Sequence, residues 1–155
     1  MHERGLYKGT TGVIETSSHY TLEKSLDTCV IKLLKVIDKL EKKHGIDLIV
    51  IESTPFSTNY RTTFLMSAFE GVVRYTLYKK YGRSYHSKVI TVPVRTVRQA
   101  CGYTTKKDVY NKVNTKYELG FRKFESSTWE NDVTDAVALA QYGISYLKSS
   151  RRKKK

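Results

Sequence analysis

Two cysteines and two prolines in 155 residues leave this chain with little covalent or steric bracing. Cys29 and Cys101 are far apart and share no CxxC spacing, which excludes a disulfide framework and a cysteine zinc site. Both read as reduced, buried thiols. His2, His19, His44 and His86 are scattered and match no zinc pattern. No stretch approaches the roughly 20 apolar residues of a membrane span. Met1-His2-Glu3-Arg4-Gly5 lacks the apolar core of a secretory signal. We therefore expect a cytoplasmic protein with no membrane partner.

Acid is scarce as well. Asp and Glu number 15 against 28 Lys and Arg, a formal charge of +13. The terminal run Arg151-Arg152-Lys153-Lys154-Lys155 carries five of these charges and leaves +8 on the remainder. A body that basic points to a polyanion, with nucleic acid the default partner. Anionic membrane is the weaker option, because no basic helix carries a bulky apolar face. Aliphatic and aromatic residues, including 12 Tyr and five Phe, are ample enough for a core. The chain reads as one domain over 1–148 with a basic tail at 149–155, without internal repeats.

Apolar spacing and capping residues set the order of elements. Leu6 to Thr16 reads as a short strand, weakened by Gly9 and Gly12. Thr21 caps a helix with Leu22, Leu26, Val30, Leu33, Ile37 and Leu40 at helical spacing, ended by Gly45. Asp47 to Glu52 contains four apolar residues in a row and reads as a strand buried on both faces, as in parallel sheets. Thr62 or Thr63 starts a helix with Phe64, Ala68, Val72, Tyr75 and Tyr78, stopped at Gly82; Phe64, Phe69 and Tyr75 are expected in the core. Val89 to Val92 is a second buried strand closed by Pro93. A helical turn at 96–100, a polar helix at 106–118 and a final helix at 133–147 complete the order. Helices alternating with strands specify α/β with parallel pairing.

Three acids stand out. Glu52 follows Ile49-Val50-Ile51 at the carboxyl end of a central strand, where open α/β sheets place ligand crevices; the alternative is a solvated turn acid. Asp132 and Asp135, in Asn131-Asp132-Val133-Thr134-Asp135-Ala136, are three apart at the start of an apolar helix and share one face. They serve either as cap and first-turn acids that suit the helix dipole, or as a pair that a cation neutralises. Arg95, Arg98, Lys106, Lys107, Lys112 and Lys116 crowd two neighbouring helical segments and can track phosphates. Phe56 and Tyr60, in the loop after Glu52, can wedge between bases.

These segments together resemble the RuvC-type Holliday-junction resolvases of bacteria and phages. The resemblance runs from about Gly5 to Ser145. It is carried by Ile49-Val50-Ile51-Glu52, by Gly102-Tyr103-Thr104-Thr105-Lys106-Lys107-Asp108-Val109 and by Asp132-Val133-Thr134-Asp135-Ala136. It implies a ribonuclease-H-like fold, a mostly parallel central sheet flanked by helices. It also implies a homodimeric, structure-selective endonuclease acting on branched DNA with Mg²⁺ or Mn²⁺ and no small-molecule cofactor. Glu52, Asp132 and Asp135 are the metal ligands implied, and Lys106 is the basic residue beside the scissile phosphate, with Lys107 its neighbour. Phe56, Asn59 and Tyr60 fall in the segment that enters the junction.

The chain departs from the family pattern at its start. The family opens on a central strand ending in a metal-bridging aspartate, whereas the first aspartate here is Asp27, inside the first helix. Either Gly5-Leu6-Tyr7 aligns with that strand and Tyr7 replaces the acid, or Tyr7 to Thr16 aligns with the third strand and the first two are missing. Length favours the second. A misplaced start, completion by another chain, and loss of cleavage each account for it, so a binding-only relative and a subunit of a larger assembly stand as alternatives.

Overall fold

A computed structural model describes residues 11–54, 59–125 and 128–152. Helix α1 (Leu22–His44) begins where Thr21 Oγ1 accepts from the Lys24 N–H, and ends where the Gly45 N–H donates to the Glu41 carbonyl. Gly45 sits at φ 72°, a conformation that spares only glycine a steric cost. Strand β1 (Ile49–Glu52) follows, then α2 (Tyr60–Tyr81), a 3₁₀ turn (Gly82–Ser84) and the short α3 (Tyr85–Lys88). Strand β2 (Val89–Val92) leads into α4 (Val94–Cys101), α5 (Lys106–Tyr117) and α6 (Trp129–Arg152). Among the described residues no helix is long and apolar enough to cross a membrane.

β1 and β2 pair in parallel, with Glu52 opposite Val92. Alternation along the strands divides the core in two. Ile49, Ile51 and Val89 pack with Ile37, Val73, Leu77 and Tyr85 beneath α1 and α2. Val50, Ile90 and Val92 pack with Val97, Val109, Val113, Val137 and Ala138 of α4, α5 and α6. α6 lies close on β1 because Gly143 leaves room: a Cβ there would stand 2.8 Å from Val50 Cγ2. Glu52 has the same parity as Val50, so its side chain belongs to the α6 layer.

Several expectations change. Among the described residues the sheet has two strands, and β1 is half-buried along its length instead of enclosed on both faces. Residues 11–16 form no strand; the Glu15 carbonyl accepts from Lys32 Nζ at 2.8 Å, so a side chain takes the bond a partner strand would make. Leu6 to Thr10 lie outside the described residues. α2 begins two or three residues early, because Asn59 Oδ1 accepts from the Thr62 N–H and asparagine caps better than threonine. It also turns its Val73–Leu77 face to the core and leaves Phe64, Phe69 and Tyr75 exposed. α6, finally, runs on through Arg152, into the basic run beyond the expected end at 147.

Candidate nuclease site

Parallel strands end on the same side of a sheet, so the segments after β1 and β2 emerge together. Glu52 closes β1, and Pro93 turns the chain after Val92 straight into α4, which carries Arg98 near its end. Gly102, at φ 73°, stops α4, and the Tyr103 N–H donates to the Arg98 carbonyl. Thr105 then caps α5 by accepting from the Asp108 N–H, and Lys106 becomes the first helical residue. The α6 layer supplies Asp132 and Asp135, one turn apart. Thr54 fixes the exit from β1: its N–H and Oγ1 both donate to Glu70 Oε2 at 2.8 Å.

These elements place a small set of charges within reach of one another. Burial pushes the Glu52 carboxyl above the ordinary carboxylate range, and the negative charges of Asp135 and Asp132 act in the same direction. Arg98 and Lys106 pull it back. Asp135 is likewise raised, first by burial and then by Asp132, against the opposing pull of Lys106 and Arg98. Lys106 Nζ lies 3.7 Å from Asp135 Oδ2. Both carboxyls thus sit where a further positive charge would be welcome. Carboxylate oxygens are the donors that Mg²⁺ and Mn²⁺ take. The donor chemistry fits such an ion, although among the described residues no three acidic, histidine or cysteine side chains stand close enough to enclose one.

The remaining expected residues fall at different distances from this cluster. Asp132 is exposed. Arg95 and Lys107 are exposed cations on α4 and α5. Lys112 is committed elsewhere: it pairs with Asp108 at 3.1 Å, donates to the Gly102 carbonyl and lies over the Tyr103 ring. Asn59 caps α2, Tyr60 opens that helix almost fully exposed, and Phe56 lies outside the described residues. Arg98 differs most from its expected place on a phosphate-tracking surface. It is half-buried beside Glu52 and Asp135, and its buried Nε has no partner among the described residues. Its signal in the sequence was its position two turns beyond the end of the strand that pairs with β1. Sequence reasoning also missed the Thr54–Glu70 tie, which joins two residues 16 apart.

The chain is 28% identical over 132 residues to the crossover junction endodeoxyribonuclease RuvC of Sulfurovum sp. (strain NBC37-1). The match covers 85% of this chain and 77% of that protein. No family profile matches the chain, and no solved structure gives a significant match.

Proposed function

We propose that this protein is a structure-selective endonuclease of the Holliday-junction resolvase type, acting on branched DNA. The observation that carries this reading is Glu52 at a strand end and Asp135 of α6 sharing the influence of Arg98 and Lys106, with Lys106 Nζ 3.7 Å from Asp135 Oδ2 and both half-buried carboxyls raised by burial. Similarity to a crossover junction endodeoxyribonuclease over 85% of the chain supports the same chemistry. Glu52 and Asp135, with Asp132, are the residues that would hold Mg²⁺ or Mn²⁺. When bound, such an ion supplies activation of water and stabilisation of the leaving oxygen in phosphodiester hydrolysis. Lys106 and Arg98 offset charge that gathers on the phosphate. Arg95 and Lys107 hold the flanking backbone through salt-sensitive contacts, and Tyr60 stacks near the branch point.

A binding-only relative is the second reading, favoured by the lack of an enclosing set of three ligands among the described residues. Incubation with a synthetic four-way junction in Mg²⁺ or Mn²⁺ separates the two. Metal-dependent nicking that Glu52→Gln abolishes supports the nuclease. Tight junction binding without nicks in either metal, unchanged by Glu52→Gln, supports the binding-only protein.

A further inference from the structure

Helix α1 segregates its charges. Lys32, Lys35, Lys39, Lys42 and Lys43 recur at helical intervals of three and four and share about a third of its circumference. All five are exposed. The stripe points away from Ile37, the buried residue that seats α1 on the Ile49 and Ile51 side of the sheet. Both acids of the same stretch lie off it. Asp38 pairs with Lys80 of α2 at 2.6 Å, and Glu41 pairs with Lys80 and Lys88 at 3.3 Å each. Lys32 donates to the Glu15 carbonyl, whereas Lys35, Lys39, Lys42 and Lys43 have no ion pair among the described residues.

Within the fold this arrangement is unfavourable. Lys35 and Lys39, then Lys39 and Lys43, are like-charge neighbours four apart, and Lys32–Lys35 and Lys39–Lys42 are neighbours three apart; each pair weakens a helix. Only Lys42 and Lys43, in the last turn, gain from the helix dipole. A second basic element lies beside the stripe. Leu40 and His44 of α1 face Ile144 and Leu147 of α6 across one apolar groove, so Arg151 and Arg152, in the last turn of α6, extend from the same end. We propose that α1 and the end of α6 form a phosphate-backbone track for unbranched duplex DNA, separate from the nuclease cluster. The inference rests on the nucleic-acid reading above and uses none of the residues assigned there. From Lys32 to Lys43 the helix rises about 17 Å, the length of about five phosphates of one strand. Lysine ammoniums act on phosphates as point charges and hold a backbone without reading its sequence. The track lies where β1 begins, on the α1 face, whereas Glu52 ends β1 and belongs to the α6 layer. It tethers the protein to a duplex without presenting that duplex to the acids.

Fluorescence anisotropy of a labelled blunt duplex of about 30 base pairs, with the full chain in EDTA, tests it. Lys35→Gln, Lys39→Gln and Lys42→Gln combined should lower affinity about tenfold or more and reduce the slope of log affinity against log salt by about 2.7, three contacts at about 0.9 each. Arg151→Gln with Arg152→Gln should remove about 1.8 more. Glutamine keeps helix propensity and the like-charge pairs are gone, so the triple variant should melt no lower than wild type by circular dichroism. If it does melt lower, Lys39→Gln alone, with an expected slope loss of about 0.9, replaces it. Glu52→Gln should bind the duplex as wild type does. In Mg²⁺ or Mn²⁺ the triple variant should nick a saturating four-way junction at the wild-type rate; a wild type that does not nick sinks the nuclease reading and leaves the duplex result standing. Unchanged duplex affinity and slope in the folded variant would overturn the proposal. So would a nicking rate at saturation that falls in step with duplex affinity, because the stripe would then belong to the nuclease face. Loss of binding to phosphatidylserine vesicles or to polyglutamate, with duplex binding intact, would reassign the stripe to a membrane or an acidic protein.

Discussion

Lys106 Nζ stands 3.7 Å from Asp135 Oδ2, which ties the first residue of α5 to the acid-bearing layer of α6. The lysine side chain is 41% exposed, so the pair adds little to stability. Its value lies in charge placement, since this ammonium is among the cations that oppose the burial cost of Asp135. Lys106→Met should therefore lower junction nicking by about 100-fold, as expected for loss of one group that meets developing charge. Junction affinity should change less than about threefold, because one exposed phosphate contact is removed among several. A parallel drop in affinity and rate would make Lys106 a binding residue only.

Divalent cations should stabilise the folded protein through the same acids. Glu52 and Asp135 are both held above the usual carboxylate range, so ionised forms at neutral pH strain the native state. At tenfold excess over its dissociation constant, a bound ion contributes about 1.4 kcal/mol. In a domain of this size that is a Tm increase of roughly 3–5 °C. Differential scanning fluorimetry with Mg²⁺ or Mn²⁺ should show this shift in the wild type and lose it in Glu52→Gln and Asp135→Asn. A shift retained by both variants would place the ion elsewhere.

Local signals carried much of this architecture into the sequence, and tertiary ones did not. Thr21, Gly45, Gly82 and Pro93 mark element ends by backbone chemistry alone, and each lies at a boundary in the structure. Glu52 was legible because four apolar residues before it specify a strand. The buried face of α2 was not legible. Apolar side chains occupy every side of that helix, so spacing alone supports Phe64 with Tyr75 as well as Val73 with Leu77. The place of Arg98 among Glu52 and Asp135 was not legible, because its neighbours depend on the parallel register of β1 and β2. A strand at 11–16 needed a partner that no local pattern can guarantee.

Acid should loosen the segment after Glu52 through Glu70. Burial alone would raise this carboxyl, but the Thr54 hydrogen bonds, with Arg74, outweigh it and hold the group below the ordinary carboxylate range. A depressed pKa means stability that is present above the unfolded value and is lost as pH falls through the lower folded value. Glu70→Gln should cost about 1.5–3 kcal/mol at pH 7, the range for hydrogen bonds to a charged group. The Tm gap to wild type should close as pH falls from the ordinary glutamate range through the lower folded value, where the wild-type carboxyl also becomes neutral. Thermal melts across that range decide it: a gap that stays constant would assign the loss to packing.

The basic surface should divide into engaged and available cations. Lys112 already pairs with Asp108 at 3.1 Å and donates to the Gly102 carbonyl at 3.2 Å, so a phosphate would have to compete with both. Arg95 and Lys107 are exposed on the neighbouring helices, with no ion pair among the described residues. Arg95→Ala and Lys107→Ala should each reduce the slope of log affinity against log salt by about 0.9 for duplex arms, the signature of one lost phosphate contact. Lys112→Ala should leave that slope unchanged and instead lower Tm slightly, by loss of its ties to Asp108 and Gly102. Fluorescence anisotropy of a labelled four-way junction from about 50 to 200 mM salt, in the range where counterion release governs binding, reads all three slopes. Equal slope losses for Lys112 and Lys107 would mean that the Asp108 pair opens on DNA, and that cation tracking extends along the whole of α5.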